Sequence, residues 1–269
     1  MNKNIYQKML DNRFYLYRPW IPICKAIEAG IVKGLELEPP VLDIGCGNGL
    51  FGTYCFREKI DCGLDYDENA VKEARERGTY KKVEAADARE LPFKDNSFKT
   101  VISVCALEHI PELNKVLDGI SRVLVKGGRL VFTVPSEEFG DFLFGSRLLR
   151  IFGLRKIAKR YGDNKNSKSD HFHIYPPLEW RDILEKKGFS IESIDHIFPK
   201  EAVFLWSFFH SFPFRIIFLP FRLLRDLRIR LVDNILRAIL TGLLSCWIEG
   251  KTARYPKDGG YLIIQARKF

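Results

Sequence analysis

None of the six cysteines (Cys24, Cys46, Cys55, Cys62, Cys105 and Cys246) pairs with another in a C-x-x-C spacing, so zinc-ribbon and thioredoxin-type chemistry lack their motif. The thiols read as reduced, as in a cytosolic protein. The opening residues MNKNIYQKMLDNRFYLYRPW lack the apolar core of roughly 7 to 15 residues that a secretory signal requires, and no export is expected. Long uncharged runs are missing too. The longest outside the first half, 202–214 and 238–248, fall short of the roughly 18 residues wanted for a spanning helix, so none is expected. There is no internal repeat or low-complexity tract.

What is present is a chain of 269 residues with 46% apolar and 29% charged residues, ordinary globular usage that excludes disorder and small disulfide scaffolds. An excess of 43 Lys and Arg over 34 Asp and Glu gives +9, which favours anionic partners: nucleic acid, an anionic membrane surface or acidic substrates.

After a helical N-terminus to about Leu35, the run VLDIG (Val41 to Gly45) begins a β-α alternation. It continues with a helix from about Leu50 to Lys59, a strand at Cys62 to Leu64, and a helix opened by Asp67 and closed by Gly78. Strands near Val83 to Ala85 and Thr100 to Leu107 follow. Leu113, Val116, Leu117, Ile120, Val123 and Leu124 fall at helical spacing, Gly127-Gly128 ends that helix, and RLVFTVP is the fifth strand. This rhythm implies a parallel sheet covered on both faces, with ligands at the carboxyl ends of its strands. Between Phe139 and Pro176 it lapses into a basic insertion. A helix from Pro176-Pro177 to Gly188 leads into FSIESIDHIF, and YLIIQARKF closes the pattern.

The segment from Pro199 to Asp258 mixes Phe, Leu, Ile and Trp with Arg215, Arg222, Arg225, Arg228, Arg230 and Arg237, the pattern of a basic amphipathic helix at a membrane interface. A lid packed over an apolar pocket and an oligomer interface remain as alternatives.

In DIGCGNG, Gly45, Gly47 and Gly49 stand between a strand and a helix, where the backbone must turn tightly and approach a ligand closely. Asp65 follows Gly45 by twenty residues, a position from which a carboxylate accepts both ribose hydroxyls of an adenosine. The spacing is GxGxG, with Leu50 where a third dinucleotide glycine would sit, so a dinucleotide ranks second.

These residues resemble the class I S-adenosylmethionine (SAM) methyltransferases, in particular the type 11 small-molecule group that includes ubiquinone and menaquinone methyltransferases. VLDIGCGNG is similar to the family's first motif and GLDYDENAV to its second. AADARELPFKDNSFKTVIS and LEHIPELNKVLDGISRVLVKGGRLVFTVP resemble the segments that follow. The likeness covers about 38–136 and returns at His171 to Phe198. It implies an α/β fold: a doubly wound, Rossmann-like, seven-stranded and mostly parallel sheet with an antiparallel last strand, plus helical insertions. The expected layout is an N-terminal helical cap at 1–37, a core at 38–198 with the insertion at 139–176, a hydrophobic and basic helical insertion at 199–258, and a final strand at 259–269.

The implied cofactor is SAM. Asp43 would fix the turn and face the amino end of SAM, and Gly45, Cys46 and Gly47, in the turn that Gly49 closes, would line its methionine part. Asp65 would hold the ribose, with Tyr66 beside the adenine. Asp87 would accept from the adenine amino group, Ala88 would donate its backbone N–H, and Cys105 and Ala106 would lie under the sulfonium. Lys99 departs from the family's usual acidic residue, at a position expected to face solvent. His171 and His173 in SDHFHIYPP are the candidate bases, since a histidine just before this helix lies over the SAM pocket in many relatives and a near-neutral pKa suits the task. A structural role for both stays open. Asp170, His171 and His173 could also hold a metal, but two imidazoles rank that reading lower and no metal is expected. His109 of LEHI is as readily structural as catalytic, and Arg13, Tyr15 and Tyr17 are expected to cap the pocket.

The resulting expectation is methyl transfer to a hydrophobic small molecule or lipid-linked acceptor at an anionic membrane surface, by a cytoplasmic protein peripheral on the inner face. An RNA or DNA methyltransferase is the alternative the charge permits, disfavoured because CALE replaces the Asn/Asp-Pro-Pro-aromatic box. A third reading is a membrane-associated protein that keeps SAM without turning it over.

Overall fold

The computed structural model describes residues 4–211, 229–252 and 255–269. The chain forms two compact units. A sheet unit gathers 35–137, 165–196 and 261–269, and a helical unit gathers the described residues of 1–34, 138–164 and 197–260.

The sheet has seven strands: β1 Val41–Ile44, β2 Ile60–Asp65, β3 Tyr80–Ala85, β4 Phe98–Val104, β5 Leu124–Pro135, β6 Phe189–Ile197 and β7 Tyr261–Lys268. Their order is β3-β2-β1-β4-β5-β7-β6, and β7 runs antiparallel to β5 while β1 to β5 are parallel, as the family likeness implies. Every residue of β1 is buried, as an inner strand covered on both faces demands. Its register sets Leu42 between Cys62 and Val101.

The helix Leu113–Val123 buries Leu113, Val116, Leu117, Ile120 and Val123 in one stripe, each contributing about 1.5 to 3 kcal/mol relative to exposure. On the helix Pro177–Lys186, Trp180 is fully buried and meets Phe132 and Tyr175 edge-on at 5.2 and 5.4 Å. Asp67 caps the helix Glu68–Arg77 by accepting from Asn69 and Ala70 N–H groups.

Two expectations fail locally. The helix awaited over 50–59 is a single turn, Gly52–Cys55, because Phe51 at its start supplies no side-chain cap and its four residues are poor helix formers. Gly127-Gly128 does not end the preceding helix. Both glycines lie within β5, beside the register shift between Phe98 and Thr100.

In the helical unit, Asn4 and Gln7 form a capping box that opens Ile5–Leu10. Arg13 and Tyr17 converge on Asp233 of the helix Arg230–Thr252, at 2.7 and 2.6 Å, while Tyr15 is buried. Burial and then Asp233 push the Tyr17 hydroxyl up to about 12. Arg13 and Tyr17 are thereby tied to Asp233 within the helical unit, whose interior also takes in Tyr15. Phe144 meets Phe204 and Phe208, and Phe139 meets Trp206, which knits Lys200–His210 to the helices of 139–151.

The 23-residue helix Arg230–Thr252 corrects a further expectation. Its stretch Arg230–Ile248, with mean hydropathy 1.5, is long and apolar enough to cross a membrane by length and composition. Counting uncharged runs missed it because Asp233 and Arg237 interrupt the run without lowering the average much. Of the arginines singled out, Arg230 and Arg237 are described, and Arg215, Arg222, Arg225 and Arg228 lie outside the described residues.

Candidate cofactor site

The sheet order reverses direction between β1 and β4, the switch point at which ligands bind in open α/β sheets. The chain leaves β1 through Gly45, Cys46 and Gly47. The N–H groups of Gly45 and Cys46 both donate to the carbonyl of Leu64, at 2.8 and 3.0 Å, which stitches the turn onto the end of β2. Gly45 (φ +77°) has no room for a side chain, since a Cβ there would stand 2.3 Å from that of Ala106. Gly47 (φ +52°) differs, for a Cβ on it would meet no protein atom within 4 Å. Bare backbone there faces open space, which fits a closely approaching ligand.

Asp65 ends β2 and clamps this turn. One carboxylate oxygen accepts from the Gly47 N–H at 2.8 Å and the other from the Asp67 N–H at 3.1 Å. Each oxygen keeps a second lone pair for a sugar hydroxyl. Asp43, on β1, is buried and accepts a 2.7 Å hydrogen bond from Tyr80. Burial drives its carboxyl up to about 7; the Tyr80 bond opposes the rise and the nearby Asp65 charge adds to it. Burial also pushes the Cys46 thiol up, so it stands as a neutral wall residue.

Gly49 lies against Ala74 of the helix Glu68–Arg77, and Tyr66 is 83% exposed just past β2. Asp87 caps the short turn Ala88–Glu90, where Ala88 is buried, and Arg89 grips its carboxylate at 2.6 to 3.0 Å while also reaching Glu112 at 2.8 Å. Arg89 holds the Asp87 carboxyl below its ordinary range. After β4 the chain passes Cys105, with φ +51° and its N–H on the Thr133 hydroxyl at 3.0 Å, then Ala106 against the glycine turn. A left-handed non-glycine residue is backbone strain of the kind that collects at ligand sites. Lys99 is exposed, as expected.

The two candidate bases diverge. His173 is buried, with Nε2–H donating to the Ile110 carbonyl at 2.7 Å and Nδ1 accepting from the Tyr175 hydroxyl at 3.2 Å. Both ring nitrogens are spent, so His173 fastens the loop and has no lone pair left for a substrate proton. His171 points elsewhere, its ring 5.4 Å from that of His109. Burial first, then the charges of His109 and Lys165, lowers its pKa to about 4, away from the near-neutral value expected. Asp170, His171 and His173 do not form the metal trio that their spacing allowed.

Sequence reasoning missed Tyr80 and the Arg89–Glu112 lock. Tyr80 stands 37 residues from Asp43 and Glu112 stands 23 from Arg89, and neither pair belongs to a recognisable local pattern.

The chain matches the family model described as a methyltransferase domain over residues 42–132, the stretch carrying β1 to β5. It is 32% identical over 117 residues to the sterol 4-C-methyltransferase strm-1 of Caenorhabditis elegans, covering 40% of this chain and 35% of that enzyme. It is 27% identical over 176 residues to the demethylmenaquinone methyltransferase of Staphylococcus aureus, covering 60% of this chain and 70% of that enzyme. A SAM-dependent methyltransferase of Thermotoga maritima shares the fold, with TM-score 0.56, 19% identity and 98% of each chain covered. The glycine turn at the switch point, the acidic end of β2 and these relatives place the chain in the class I SAM-dependent methyltransferases, as a member of the type 11 methyltransferase-domain family.

Proposed function

We propose that this methyltransferase modifies a hydrophobic small molecule or lipid-linked acceptor reached at an anionic membrane surface. The observation that carries the membrane part is a surface of the helical unit. Between Phe144 and Tyr161 the helices Phe144–Ile151 and Arg155–Lys168 hold six Lys or Arg and no acidic residue, and the turn joining them exposes Ile151 (80%) and Phe152 (70%). On Arg230–Thr252, Leu231, Ile235, Ile239 and Leu243 form an exposed stripe four residues apart. Apolar side chains ringed by cations match a headgroup boundary. The sterol and demethylmenaquinone acceptors named for the two relatives support an apolar acceptor.

Within the sheet unit the proposed roles follow the geometry. SAM supplies a sulfonium-bound methyl group. Asp65 binds the ribose hydroxyls, Asp43 faces the amino end, Gly45, Cys46 and Gly47 line the methionine part beside Gly49, and Tyr66, Asp87 and Ala88 border the adenine. Cys105 and Ala106 border the reacting end. Holding the acceptor in line with the breaking bond supplies much of the rate.

The deciding experiment incubates the full chain with SAM labelled in its methyl group and a membrane lipid extract, alongside an RNA extract. Label in an organic-soluble product supports the proposal; label in RNA alone overturns it.

A further inference from the structure

Beside the cofactor turn, three side chains converge that the cofactor reading does not use. Glu108 and His109 lie in the short turn Leu107–His109 that follows Ala106, and His171 arrives from a loop more than sixty residues later. Each offers one ligand atom, and these lie within 4.8 Å of one another. Glu108 is fully buried, and its carboxylate stands 3.9 Å from Nε2 of His109. The two segments are clipped together by their backbones as well: the Phe172 N–H donates to the Glu108 carbonyl at 2.8 Å.

The outer contacts orient both rings. His109 donates from Nδ1 to the Asp170 carbonyl at 3.1 Å, which turns Nε2 toward Glu108. Nδ1 of His171 lies 3.4 Å from the side-chain oxygen of Asn166. A carbonyl oxygen on the far nitrogen is the arrangement that fixes tautomer and aim in metal-bound imidazoles.

We propose that Glu108, His109 and His171 form a divalent-metal site, with a two-nitrogen, one-oxygen donor set that suits Zn²⁺. Three protein ligands leave a coordination position open to water or an acceptor oxygen. Closing from 4.8 Å to the separation of ligands on one ion asks only a small side-chain movement. The inference goes beyond the methyltransferase reading, since it concerns residues that reading leaves without a role.

The test loads the full chain with Zn²⁺, removes excess by gel filtration and measures retained metal by mass spectrometry. Co²⁺ loading follows the same site by its visible ligand-field bands. Wild type is expected to keep one equivalent, His173→Ala to keep it too, and Glu108→Gln to bind roughly 10- to 100-fold more weakly. His109→Ala/His171→Ala is expected to lose it while its far-UV circular dichroism is unchanged. Zn²⁺ retention by wild type no greater than by that double variant overturns the proposal, whatever SAM does. Calorimetric SAM titration of the same proteins reports on the cofactor site alone, so failure of either reading is seen separately.

Discussion

The hydroxyl of Tyr80, at the start of β3, reaches past β2 to donate a 2.7 Å hydrogen bond to Asp43 on β1. The carboxyl it meets is buried and pushed up to about 7, so the acid beneath the cofactor turn is about half protonated near neutral pH. The folded pKa lies above the unfolded one. The associated stability is therefore fully present below about pH 4 and lost as pH rises through about 7, a change on the order of 4 kcal/mol. Asp43→Asn removes the ionisation. In a thermal-unfolding series from pH 5 to 8.5, the variant should gain on wild type as pH rises. A pH-independent difference would contradict the buried-acid account.

Gly45 and Gly47 should respond differently to alanine. Gly45→Ala drives a Cβ into Ala106 and is expected to cost about 2 kcal/mol or more of stability, as overpacking with positive-φ strain does. Gly47→Ala has room in the protein and should cost about 1 kcal/mol, from strain alone. Its methyl group projects where the ligand is proposed to lie, so SAM affinity should fall at least tenfold in calorimetry. Unchanged affinity would move the cofactor away from this turn.

Asp65→Ala should weaken SAM binding by roughly tenfold or more, because two charge-assisted hydrogen bonds to the ribose go with it and the Gly47 N–H loses its acceptor. Titration with NAD under the same conditions is the control. Tighter NAD than SAM binding by wild type would reverse the assignment.

His171 predicts an acid-side effect. Its folded pKa of about 4 lies below the ordinary 6.5, so the stability it contributes is present above pH 6.5 and lost as pH falls toward 4. Chemical denaturation between pH 7 and 4.5 should show a steeper loss for wild type than for His171→Ala. His173→Ala should lower stability by about 1 to 3 kcal/mol, since the Ile110 carbonyl loses its donor. Equal pH profiles for wild type and His171→Ala would refute the assignment.

Substituting Ile151 and Phe152 together by Asp should abolish binding to anionic liposomes while leaving the melting temperature within about 2 °C, because both side chains are exposed. Wild-type binding should also weaken as salt rises. Equal affinity for neutral and anionic vesicles would remove the electrostatic part of the proposal.

The sheet unit was legible where its signals are local. VLDI followed by glycines, Asp65 at the end of the next strand and the apolar stripe from Leu113 to Val123 each carry their meaning within a short window. What stayed hidden depends on distance along the chain. The pairing of His109 with His171 and the grip of Arg13 on Asp233 join segments that no local pattern links. Both histidines precede the same helix, whereas Ile110, Tyr175 and His109 decide where each ring goes. In the helical unit the amphipathic pattern could be read, but only packing shows which of its apolar residues stay exposed.

The position of β7 between β5 and β6 imposes a chronology on the nascent chain. β6 leaves the ribosome before the strand that joins it to the sheet exists, and the whole of 198–260 is synthesised in the interval. During that time β5 presents an open edge and β6 a strand with no neighbour, the sort of surface on which intermediates associate. Translation speed through this stretch, and chaperones that shield strand edges, should therefore govern the yield of active protein more than the stability of the finished fold.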